Sequence, residues 1–185
     1  MLPKQFTALT SAADGILREI ITDCDVSLPC PENVSPLQVT KVHTKALWDT
    51  GATNCCITKT LADAMGLKPM GLTKVSYGNQ EADSNVYFIN LHLPNAVNLR
   101  NVTVTECYSK DDAFGIIIGM EIITIGDFAI TNVAGKTTFS YRVPSIETIN
   151  YVDVANQLRM ASYNRGRNKQ CGCGSGKKFK NCHGK

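Results

Sequence analysis

Acidic side chains are absent from the last 22 residues of this 185-residue chain, Asn164 to Lys185, which hold seven lysines and arginines. The rest carries 12 basic against 16 acidic residues, so the formal charge of +3 conceals a mildly acidic body and a basic tail. Such a tail favours an anionic partner such as RNA, an acidic protein surface or anionic lipid, although charge alone equally describes a solvated terminus. Long apolar runs are missing too. The longest, around Phe114 to Met120, falls far short of the roughly 20 residues that a membrane span needs. The first residues show no basic start followed by an apolar stretch, so no secretory leader is expected. Internal repeats and long low-complexity segments are also lacking. These absences leave a soluble, cytoplasmic protein as the expectation. Charged residues make up 19% and hydrophobic residues 43%, which excludes a disordered chain. The length allows one globular domain and a short appendage, not two domains of ordinary size.

Eight cysteines divide unevenly. Cys171, Cys173 and Cys182 crowd into the last fifteen residues, while Cys24, Cys30, Cys55, Cys56 and Cys107 are scattered. Without a secretory leader the scattered five are expected to be thiols rather than disulfides.

Hydrophobic alternation and turn residues predict many short strands and little helix. Strands are expected over 15–28, 38–48, 99–107 and 114–118. A hairpin is expected from 73–77 and 84–93 around Gly78-Asn79-Gln80, and another from 127–131 and 137–142. A short helix is expected over 58–67, capped by Thr58 or Thr60 with Gly66 near its end. A second helix is expected over 146–160, with Ile149, Val152, Ala155 and Leu158 on a face that would pack on the body. The pattern is all-β and barrel-like.

Within that frame an apolar strand, Ala46-Leu47-Trp48, delivers Asp49 into the turn Thr50-Gly51-Ala52. By itself this triplet reads as the inert turn of a strand end. Its surroundings give it weight: a short helix with Leu61, Met65 and Leu67, then the hairpin, then Ile117-Ile118-Gly119. That order resembles the retropepsin family of aspartic proteases. The stretch GMEIITIGDFAITNVAGKTTFSYRVPS, residues 119–145, is similar to bacterial retropepsin-like proteins. The resemblance covers roughly residues 15–145. It implies a retropepsin-like acid-protease barrel with a flap hairpin and short helices. It also implies Asp49 as the catalytic carboxylate, Thr50, Gly51 and Ala52 as the supporting loop, and Tyr77, Gly78 and Asn79 as the flap tip over a polypeptide substrate.

Peptide hydrolysis by such an enzyme needs two carboxylates sharing one proton. The chain has one Asp-Thr-Gly. A homodimer sets two copies of Asp49 across a two-fold axis, which makes activity depend on concentration.

Cys171-Gly-Cys173 and, nine residues after the second cysteine, Cys182-His183 form a compact metal signature. It resembles the SEC-C motif, named for the C-terminal tail of the SecA translocation ATPase. Three thiolates and an imidazole suit a closed, structural Zn²⁺ site with no open position for catalysis. So short a segment cannot bury a core, and metal binding would supply most of its folding free energy. Phe179 is its apolar prop. His43 and His92 have no matching partners and read as ordinary strand residues.

The expected organisation is a protease domain over 1–145, a helix and basic linker over 146–169, and the zinc knuckle over 170–185. The leading reading is an aspartic endopeptidase whose knuckle acts as an adaptor or targeting element. The competing readings are a non-catalytic peptide-binding dimer, and a ribosome- or nucleic-acid-associated adaptor working through the basic zinc tail.

Overall fold

The computed structural model describes residues 5–31, 34, 38–77, 80–109, 113–163 and 166–184. They divide into two compact units, residues 1–146 and 147–185.

The first unit is built on a barrel. Strands β2 (Ile20–Ser27), β3 (Val42–Trp48), β4 (Cys55–Thr58), β6 (Gln80–Leu93), β7 (Val97–Cys107) and β8 (Ile116–Ile118) pair in the order β2-β3-β8-β4-β7-β6. Closure comes from β6 pairing back onto β2 through Asp25↔His92, Val26↔Leu91 and Ser27↔Asn90. Strand β5 (Gly71–Tyr77) extends β6 as a hairpin. In β2 alternate residues Ile20, Thr22, Cys24 and Val26 are buried, as expected of a wall facing a packed core. A register shift in β6 between Ile89 and Leu91 leaves the buried Asn90 to stitch the irregularity. Its amide donates to the Leu28 carbonyl (3.2 Å) and accepts from the Asn101 N–H (3.0 Å).

Helix α1 (Lys59–Ala64) starts where the Thr58 side chain accepts the Leu61 N–H, so Thr58, not Thr60, is the cap. Gly66 follows with φ +62°, a left-handed conformation that glycine adopts freely. A short helix α2 (Met120–Ile123) follows β8 directly.

A second antiparallel sheet has the order β1-β10-β9, with β1 (Thr7–Ala12), β9 (Asp127–Thr131) and β10 (Thr138–Val143). Trp48 joins the two sheets. Its ring lies 4.9 Å from Phe139 and 4.8 Å from Tyr141, and its indole N–H donates to Thr22 Oγ1 at 3.0 Å. The strand leading to Asp49 is thus anchored in an aromatic cluster.

In the second unit, helix α3 (Tyr151–Tyr163) is capped by Asn150, whose Oδ1 accepts from Val152 N (3.0 Å) and Asp153 N (3.3 Å). Residues 151–159 are exposed, including Val152 and Leu158, which the pattern assigned to a buried face. The C-terminal segment folds on Phe179, which is buried and accepts the Gly184 N–H at its carbonyl (2.8 Å). Among the described residues no helix is long and apolar enough to cross a membrane.

Candidate active site and metal centre

Asp49 directly follows β3, with its N–H bonded to the Ile118 carbonyl (3.0 Å). Its Oδ1 accepts the Gly51 N–H at 2.8 Å, and its own carbonyl accepts Ala52 N–H at 3.3 Å. Thr50 and Gly51 are exposed, and Asp49 and Ala52 are half-buried. Among the described residues the Thr50 hydroxyl has no hydrogen-bond partner.

The Ile117-Ile118-Gly119 segment runs beside this loop. A side chain at Gly119 would place its Cβ 2.4 Å from the Asn54 carbonyl oxygen and 2.9 Å from that of Ala52. Only glycine permits that approach. Immediately after it, the Met120 N–H donates to Ala52 O (2.8 Å) and the Glu121 N–H to Thr53 O (3.1 Å). Glu121 also accepts the Cys55 N–H at 2.7 Å, and Cys55 Sγ accepts the Gly119 N–H at 3.4 Å. Glu121 was not singled out from sequence; the only signal was an acidic residue directly after the apolar-Gly run.

Of the expected flap residues, Tyr77 ends β5 opposite Gln80. Gly78 and Asn79 lie outside the described residues.

The histidines of the body stay out of this site. His43 is exposed and pairs with Asp25 at 3.0 Å. His92 sits between Ser27 and Asn98. The Asn98 amide donates to the Ala96 carbonyl (3.0 Å), so its oxygen faces His92 Nδ1 (2.7 Å) and fixes the proton there. His92 Nε2 lies 3.0 Å from Ser27 Oγ, whose hydroxyl also reaches the Leu28 carbonyl at 3.2 Å. The connectivity is that of a nucleophile, a base and an orienter. Burial disqualifies it: Ser27 is 0% and His92 5% exposed, and burial holds the imidazole below its ordinary range.

At the C-terminus the ligand atoms of Cys171, Cys173, Cys182 and His183 all lie within 4.8 Å of one another. His183 Nδ1 is 3.2 Å from Cys171 Sγ and 3.3 Å from Cys182 Sγ, and the Cys173 and Cys182 sulfurs are 3.5 Å apart. A tetrahedral zinc ion with bonds of about 2.3 Å to sulfur and about 2.0 Å to nitrogen would hold its ligands roughly 3.5–3.8 Å apart. The donor set and spacing fit such an ion. Ser175, unremarked in the sequence, sits 3.1 Å from Cys173 Sγ and 3.3 Å from Cys182 Sγ. Its hydroxyl holds the Cys173 thiol down at about 6. Gly174 and Gly176 take φ of +78° and +69°, which turns the chain tightly around these sulfurs.

Comparison with curated proteins finds no match. Two family models do match. Residues 35–124, just under half of the chain, match the gag-polyprotein putative aspartyl protease, and residues 167–185 match the SEC-C motif. Similar solved structures include a retropepsin-like aspartic protease from Rickettsia conorii. It is 15% identical, with a TM-score of 0.47 over 77% of this chain and 99% of that one. The Simian Foamy Virus (mac) protease is 14% identical, with a TM-score of 0.35 over 54% of this chain and 89% of that one. Residues 35–124 are thus similar to the gag-polyprotein putative aspartyl proteases, and residues 167–185 to the SEC-C motif.

Proposed function

We propose that the chain is an aspartic endopeptidase whose active centre forms when two copies bring their Asp49 carboxylates together. The observation that carries this reading is the Asp49 loop itself. Its carboxylate is oriented by the Gly51 N–H, and its far side is tied to the Gly119–Glu121 segment by two backbone hydrogen bonds. In the pair, one carboxylate is ionised and takes a proton from water as that water attacks the scissile carbonyl. The other is protonated and donates to the carbonyl oxygen. Thr50 is exposed, its hydroxyl has no partner among the described residues, and in this reading it engages the partner's loop. The β5–β6 hairpin, where Tyr77 pairs with Gln80, serves as the flap over an extended polypeptide substrate.

Cys171, Cys173, Cys182 and His183 would hold a structural Zn²⁺. Four protein ligands leave that ion no position for substrate, so it supplies folding energy and not hydrolysis. With three thiolates the site carries one negative charge, set among Lys177, Lys178 and Lys180. The knuckle is then an adaptor or targeting element. Neither the fold nor the comparisons support a ribosome or RNA partner for it.

The test is digestion of a proteome-derived peptide library by wild type and Asp49→Asn in parallel. The variant keeps the shape of the side chain and loses the shared proton. Cleavage by wild type alone is the expected result; equal turnover by both would remove the aspartic-protease reading.

A further inference from the structure

Cys56 and Cys107 have no part in the site described above. Strands β4 and β7 run parallel in a register that sets Cys56 beside Thr105 and Thr58 beside Cys107. Alternate residues of a strand share a face, so Cys56 and Cys107 project from the same face of adjacent strands, one pleat apart. Their thiols lie near enough to shift each other's ionisation. Cys56 Sγ also lies 3.3 Å from Thr105 Oγ1. Access is unequal: Cys56 is half-buried, whereas Cys107 is 7% exposed.

We propose that Cys56 is an oxidation site for hydrogen peroxide, with Cys107 as the thiol that resolves it to a disulfide. The chemistry of the pair supports this assignment. The neighbouring Cys107 thiol, and then the Thr105 hydroxyl, lower the Cys56 thiol from its ordinary range against the effect of burial. The Cys56 thiol, and then burial, push Cys107 up, so Cys107 keeps its proton. The thiolate is the nucleophile in such reactions. Cys56 attacks one peroxide oxygen, the O–O bond breaks, and the other oxygen leaves as water after taking up a proton. The sulfenic acid left on Cys56 is attacked by the Cys107 sulfur. The S–S bond forms, and the hydroxyl departs as a second water with the Cys107 proton. Two thiols are oxidised and one peroxide is reduced.

The consequence for activity rests on the peptidase reading. Closing the bond draws Cys56 toward a residue one pleat beyond its own register partner, so β4 must shift along β7. Strand β4 begins directly after the Asp49 loop, and its first residue is tied to Glu121 and Gly119. Oxidation therefore lowers peptidase activity, and a thiol reductant restores it.

The test uses the full-length, zinc-loaded protein and hydrogen peroxide, read by peptide mapping without reduction so that the knuckle cysteines are followed separately. A peptide pair linked through Cys56 and Cys107 is expected. Cys107→Ala should instead leave a Cys56 sulfenic acid that a cyclic dione traps. In untreated wild type, Cys56 should alkylate about tenfold faster at pH 7 than the half-buried Cys30. Absence of the linked pair in wild type, or alkylation of Cys56 no faster than Cys30, overturns the proposal. The linkage is read by mass, so it stands or falls whether or not the protein cleaves peptides. A linked protein with unchanged turnover would remove the regulatory consequence and keep the site.

Discussion

Gly119 and Asp127 show how much single positions decide here. At Gly119 a methyl group would collide with two backbone carbonyls of the Asp49 loop, at Asn54 and Ala52. Backbone cannot swing aside as a flexible side chain can. Gly119→Ala should therefore cost about 1–3 kcal/mol by overpacking. It should also lower turnover more than it raises KM, because it displaces the loop that holds the carboxylate. Thermal unfolding and steady-state kinetics on the variant check both parts; wild-type Tm and turnover would contradict the contact. Asp127 makes a different case. Its carboxylate accepts from the Ile146 N–H (3.0 Å), the Ser145 hydroxyl and Arg142 Nε (2.9 Å). Those bonds, the backbone one foremost, hold its pKa at about 2, below the ordinary 3.8. A depressed carboxylate contributes stability that is fully present above its unfolded pKa and is lost as pH falls through the folded one. The Tm difference between wild type and Asp127→Asn should be constant from pH 7 to 5, shrink below about pH 4 and disappear near pH 2. Melting curves across that range give the answer, and a difference that grows with acid would reverse the sign of the argument.

Among the elements, the knuckle depends most on chemistry and least on packing. Its buried apolar residue is Phe179, beside the buried ligand Cys171, so nothing but an ion at the four ligands can offset the entropy of ordering it. Cys173→Ser or Cys182→Ser, or chelation of the wild type, should release the metal and unfold residues 167–184 alone. The barrel, with Trp48, Tyr141 and the closed strand ring, should keep its cooperative transition. Metal analysis with amide exchange separates the two; a metal-free protein with an ordered tail would refute the expectation. The Cys171, Cys173, Cys182 and His183 cluster and the Asp-Thr-Gly turn were legible in the sequence because they are carried by near-contiguous residues. The elements that escaped notice depend on distant partners. Strand β1, Thr-Ala-Leu-Thr-Ser-Ala, has weak intrinsic preference and exists by pairing with β10, Thr7 against Val143. Strand β4 is four residues long and is held from both sides by β7 and β8. Strand β6 begins at Gln80, within a polar stretch that alternation does not mark, because β5 pairs along its whole length.

At the scale of the whole molecule, the chain supplies one Asp-Thr-Gly, and a shared-proton pair needs two carboxylates. Under the proposed mechanism no single chain is active. Specific activity should therefore fall on dilution, in step with dissociation measured by sedimentation over the same concentrations. Thr50 gives the sharper experiment. It is exposed, and among the described residues its hydroxyl has no partner; the proposed mechanism assigns its hydrogen bond to the second copy. Removing one such bond costs about 0.5–1.5 kcal/mol, and two-fold symmetry removes two. Thr50→Ala should then raise the dimer dissociation constant roughly five- to a hundredfold, with the monomer fold and its Tm unchanged at high dilution. Thr50→Ser keeps the hydroxyl and should stay close to wild type, which separates a lost hydrogen bond from a lost methyl contact. The pair of variants also distinguishes dimer loss from local damage: at protein concentrations well above the raised dissociation constant, Thr50→Ala should recover most of its activity. Full activity of wild-type monomer at high dilution would defeat the shared site, since the chain holds no second Asp-Thr-Gly to replace the partner's.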